Sequence, residues 1–200
     1  MRIFTIAISF LFFLSCTNQK KDISNQDLNV LLNKSIREYF QTKDKRILNS
    51  AYEELKYNKD YVEIGLSGNN SLPIISLLLN LKKYDELEQL LSKNNTINEY
   101  NRVNTLNIVK FLKINKKNKR EANSYIYENI DRIKDSLKKT PRDSLLYADY
   151  FSMKMFLKGK KNALKEIDSM KATNKDYSEL FYEGILKESI KNYPDESLGN

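Results

Sequence analysis

The sequence predicts an all-α fold of antiparallel helix hairpins, about nine helices in total, on three observations. Only 5 Gly and 3 Pro stand among 200 residues, a composition poor in turn formers and rich in Leu, Ile, Lys and Glu. From Asp27 onward, apolar residues recur three and four apart, the period of a helix with one buried face. No stretch alternates apolar and polar residues as a half-buried strand would.

Leu28, Leu31, Leu32, Ile36, Tyr39 and Phe40 form the first stripe. Ile47, Leu48, Ala51, Tyr52 and Leu55 form the second, after a break at Thr42-Lys43-Asp44. Residues 60–65 predict a short helical turn and 65–70 a loop. A third helix is expected from Ser71 through Leu81, with Pro73 in its first turn, where a missing N–H costs nothing. Tyr84, Leu87, Leu90 and Leu91 mark a fourth helix, and residues 97–113 a fifth. Ala122, Tyr125, Ile126, Ile130, Ile133 and Leu137 stripe a sixth. Thr140-Pro141-Arg142-Asp143 predicts an N-cap at Thr140, a first-turn proline and an acid capping back. The helix so opened covers 143–158 and stops at Gly159, expected in the left-handed conformation. Ala163, Ile167 and Met170 stripe a shorter helix. Asp176 with Glu179 opens the last one, which ends before Pro194.

The helices fall into pairs at 28–58, 71–94, 97–139 and 141–173, with a single helix at 176–192. A helix–turn–helix unit of roughly 30–40 residues, repeated, is the signature of an α-solenoid. The first helix of the fourth pair is apolar almost all round, through Leu146, Tyr147, Tyr150, Phe151, Met155 and Phe156. Its partner is apolar on one face, as expected of an inner helix sandwiched between neighbours and an outer one exposed on its back. Leu81-Lys82-Lys83-Tyr84-Asp85-Glu86-Leu87 and Gly159-Lys160-Lys161-Asn162-Ala163-Leu164 resemble the intra-repeat turn of the tetratricopeptide repeat. Asn174-Lys175-Asp176-Tyr177 resembles its boundary between repeats, with Lys175 where that family has proline. The resemblance covers most of 71–192. It implies a helical-repeat fold, and its motif residues pack helices rather than carry chemistry.

At the N-terminus Met1-Arg2 precedes an apolar run from Ile3 to Leu14, broken by Thr5 and Ser9 and followed by Ser15 and Cys16. A basic start, a short apolar core and a small residue at the cut make a secretory signal. The run is too short to span a bilayer, which takes about 20 residues. Phe13-Leu14-Ser15-Cys16 resembles the lipobox of bacterial lipoproteins, which implies that residues 1–15 are removed and that Cys16 is acylated. Residues 16–26 are polar and read as a tether, its ten residues after Cys16 reaching about 17–20 Å. The helical domain is expected at 27–193 and a tail at 194–200. Thr17 lacks the aspartate that marks inner-membrane retention in some bacteria, which favours the outer membrane.

Lys and Arg number 34 against 26 Asp and Glu, a net charge of +8; removing residues 1–15 takes away Arg2 and no acid. The surplus favours anionic partners, and an exported protein has no occasion to meet nucleic acid. The chain has no His and one Cys. It therefore lacks the commonest general base and metal ligand, and Cys16 is committed to lipid. No enzyme activity, cofactor or metal is expected. The paired acids Glu53-Glu54 and Asp85-Glu86 sit on helical faces that read as solvated.

In a stack of hairpins all the turns within hairpins fall on one edge. That edge carries Lys113, Lys116, Lys117, Arg120, Lys158, Lys160 and Lys161, the candidate binding residues of this sequence. The expectation is an envelope lipoprotein that acts as a scaffold or accessory subunit, holding a protein or peptide partner. Its concave face would be built from the first helix of each pair. The rival is an immunity or inhibitor lipoprotein directed at a toxin or hydrolase.

Overall fold

A computed structural model describes residues 23–191 apart from 67–69, 95 and 175. It is all-helical, with no strand among the described residues. In chain order the helices are α1 Asn25–Thr42, α2 Lys45–Lys56, α3 Lys59–Ile64, α4 Ser71–Asn80 and α5 Tyr84–Lys93. They continue with α6 Glu99–Ile114, α7 Lys119–Lys139, α8 Ser144–Lys158 and α9 Lys160–Thr173. A terminal helix is π-helical over Leu180–Lys187 and continues as α10, Glu188–Lys191.

Six helices open on a polar side chain that accepts a backbone N–H of the first turn. These caps are Ser24, Asp44, Asn58, Asn98, Asn118 and Asp143. Each satisfies a donor that the helix itself cannot. α1 starts two residues before the apolar period does, because Ser24 supplies the cap. The expected N-cap at Thr140 is corrected: Asp143 caps α8, accepting from Leu145 and Leu146. Thr140 instead ends α7, its hydroxyl donating to the Ser136 carbonyl, since a residue before proline is pushed out of the helical region. Asp176 does not open the terminal helix either; Ser178 accepts the Phe181 N–H at 3.3 Å. Gly159 has the expected positive φ, 80°, but its ψ of 158° lies outside the left-handed helical well. There it is the single residue between α8 and α9, C-cap of one and N-cap of the other, in a geometry that only glycine tolerates.

Packing follows chain order. α1 lies against α2 and α4, α4 against α5, α5 against α6, α6 against α7, and α7 against α8. The terminal helix closes the series against α8 and α9. One core gathers Leu28, Leu32, Leu48, Leu55, Leu77 and Leu87 under the first five helices. A second gathers Phe111, Ile126, Phe151, Phe156, Ile167 and Phe181 under the rest. α8 buries Phe151, Met153, Met155 and Phe156, while α9 buries only Ala163 and Ile167, the contrast expected of an inner and an outer helix.

Candidate functional site

Two opposed edges organise the molecule. Turns between hairpins are tied together on one of them. Asn58 donates to the Ile23 carbonyl at 2.9 Å, and Asn70 to the Asn25 side chain at 3.4 Å. Asn94 and Thr96 both donate to the Leu66 carbonyl. Tyr100, at the start of α6, donates to Asp149 of α8 at 3.2 Å, and Tyr177 donates to the Pro141 carbonyl at 2.7 Å. The backbone enters the fold on this edge, at Ile23 and Ser24.

Turns within hairpins form the other edge. Lys113, in the last turn of α6, binds Asp85 at 2.7 Å and also Glu88, both in the first half of α5. That contact brings the α4–α5 and α6–α7 turns side by side. Phe111 and Phe156 meet edge-to-face, their centroids 5.5 Å apart. Each stands in the last turn of its helix, so the α6–α7 turn and the α8–α9 junction are neighbours as well.

The seven candidate bases divide in this setting. Lys113 is half-buried and held by two carboxylates, whose hydrogen bonds raise its pKa. Lys158 pairs with Glu166 at 2.7 Å, a carboxylate that also holds Lys154 at 3.2 Å. Lys160 is half-buried and has an interaction of its own. Lys116, Lys117, Arg120 and Lys161 are exposed, and none forms an ion pair with a described residue. Lys119, a base of the same turn in the sequence though outside the seven candidates, belongs with them. Its position on the first residue of α7 identifies it. Cys16 and the tail lie outside the described residues.

Two polar clusters escape any reading of periodicity. Glu86 on α5 accepts the Tyr52 hydroxyl at 2.6 Å and that of Tyr61. It thereby clamps α2, α3 and α5 beside a cleft of about 320 Å³ lined by Tyr61, Val62, Gln89 and Lys93. Desolvation and the Glu86 carboxylate push the Tyr52 hydroxyl up to about 12. Lys83 lies over the Tyr52 ring at 4.9 Å. Within the second core, Asn107 donates to Asn129 at 2.9 Å and Asn129 to the Asn104 carbonyl at 2.9 Å, pinning α6 to α7. No group of three or more acidic or cysteine side chains suited to a metal exists among the described residues. None of the described helices is long and apolar enough to cross a membrane. Comparison of the chain with family models, with curated proteins and with solved structures finds no match.

Proposed function

We propose that the chain is a lipoprotein of the bacterial envelope, held at the membrane, the outer one by preference, through acylated Cys16. Its helical domain is a tetratricopeptide-like α-solenoid that binds a protein partner as a scaffold or accessory subunit. The packing order carries this reading. Each hairpin touches the next one along the chain, α1 against α4, α5 against α6 and α7 against α8, and α6 reaches α8 through Phe111 and Phe156. Hairpins stacked serially in this way build the extended surfaces on which helical-repeat proteins hold an extended or helical peptide. The lipobox-like Phe13-Leu14-Ser15-Cys16 supports the anchor.

Replacing the acyl acceptor tests the anchor. Cys16→Ser should move the protein from the membrane to the soluble fraction with its helical circular dichroism intact. Retention in the membrane after a salt wash would overturn lipid anchoring. Cross-linking of the wild type in cells should return a stable set of resident envelope proteins. Recovery of a single secreted toxin would replace the scaffold by an immunity protein.

A further inference from the structure

The second helices of three hairpins open on two consecutive bases: Lys45-Arg46 in α2, Lys119-Arg120 in α7 and Lys160-Lys161 in α9. Basic residues gather at helix C-termini because the macrodipole is negative there. At an N-terminus the dipole is positive, and each base works against it by about 0.3–1 kcal/mol. Helix stability therefore does not explain these pairs. In α2 the repulsion is relieved within the turn, where Asp44 binds Arg46 at 2.7 Å. Around α7 one acid, Glu121 in the first turn, stands against four bases. Lys116, Lys117, Lys119 and Arg120 are exposed without an acidic partner among the described residues, and Glu121 is engaged by Asn118 at 2.9 Å. The contact of Phe111 with Phe156 adds exposed Lys161 from the neighbouring junction.

The direction of this edge narrows the partner. α6 has 16 residues, about 24 Å at 1.5 Å each, and it separates the basic turns from the edge where Ile23 and Ser24 lie. Ser24 stands eight positions after Cys16 in the sequence, a separation that at most about 29 Å of chain can span. A domain held through Cys16 is joined to its anchor on the asparagine-tied edge, with its bases on the far edge, several Debye lengths of about 8 Å away. We propose that Lys116, Lys117, Lys119, Arg120 and Lys161 form a docking surface for an acidic polypeptide segment, on the edge that faces away from the anchoring membrane. The outward direction rests on the lipoprotein reading; the charge cluster does not.

The test uses the full protein extracted from membranes and reconstituted in neutral phosphatidylcholine vesicles, with a fluorescent oligo-glutamate peptide as probe. Binding should weaken steadily as salt rises. It should fall about tenfold or more in the combined variant Lys116→Glu, Lys117→Glu, Lys119→Glu and Arg120→Glu. Acids at the start of α7 suit its dipole, so helicity should be kept. A matched reversal of Lys134, Lys138, Lys139 and Arg142 on the opposite edge should change binding less than about twofold. Equal losses from both reversals, or no loss from the first, would overturn the docking surface. So would displacement of the peptide by added anionic vesicles, which would make this a lipid site. A fluorophore at Lys117→Cys should escape quenchers embedded in the bilayer, and quenching would overturn the outward direction. If the extracted protein carries no acyl chain, the anchor reading fails while the peptide arm still decides the docking surface.

Discussion

Phe111 of α6 and Phe156 of α8 meet edge-to-face, at 70° and 5.5 Å between centroids, and both are buried. Forty-five positions apart in sequence, the two rings join the last turns of successive first helices and so set two basic turns side by side. Phe111→Ala should lower stability by about 3–5 kcal/mol, the cost of an aromatic cavity in a core. A double-mutant cycle with Phe156→Ala, followed by urea unfolding, should give a coupling of about 0.5–1.5 kcal/mol. Strict additivity would mean that the rings do not support each other.

Lys82 sits at φ 58° in the turn between α4 and α5, and its side chain is exposed. A left-handed non-glycine residue costs about 1–2 kcal/mol, partly offset in a glycine by the entropy of its unfolded chain. Lys82→Gly should therefore stabilise the fold by about 0.5–1 kcal/mol, seen as a rise in Tm of about 1–3 °C. An unchanged or lower Tm would contradict the turn geometry.

Asn129 is fully buried and joins Asn107 to the Asn104 carbonyl. Asn129→Ala should cost about 2–4 kcal/mol, because it leaves the Asn107 amide buried without its acceptor and opens a small cavity. Replacing Asn107 and Asn129 together by Leu should recover much of that loss, since no unpaired amide of the pair remains and only the Asn104 carbonyl loses a second donor. Chemical denaturation of the two variants checks both statements.

Burial pushes the Asp149 carboxyl above its ordinary 3.8, with the charge of Asp143 adding to the push and the Tyr100 hydrogen bond opposing it. A carboxyl raised in the folded state binds its proton more tightly there. Its stabilising contribution is present below the unfolded value and is lost as pH rises through the folded one. Asp149→Asn, which keeps an acceptor for Tyr100, should therefore be more stable than wild type at pH 7, with the gap closing below about pH 4. Glu183 has the opposite sign. Lys187 and Lys171 hold it down to about 2, so its contribution is present above 4.5 and lost as pH falls toward 2. Variant and wild type must be compared at each pH for that reason.

The helices were legible because each buries a stripe at a period of 3.6, as Leu28-Leu32 and Ile126-Ile130-Ile133 show. The breaks were legible where apolar spacing failed. What ties the breaks together was not. Asn58, Asn70 and Asn94 are buried at the turns, yet in sequence they are three asparagines among many, because their partners lie up to 45 residues away. The split among the seven bases was hidden for the same reason: Lys113 meets Glu88 only once α5 and α6 are packed. The π-helical terminal segment left no local trace, since its apolar residues fit a helix of either period. Pairing and capping at a distance are tertiary facts; periodicity is a local one.

Intact mass and fragment-ion spectra of the protein extracted from membranes test the central claim most directly. The expected species begins at Cys16, lacks residues 1–15 and carries acyl groups on that cysteine, with each acyl chain adding about 0.8 kcal/mol of membrane affinity per buried methylene. A chain that retains residues 1–15, or one that begins elsewhere with Cys16 unmodified, would contradict it.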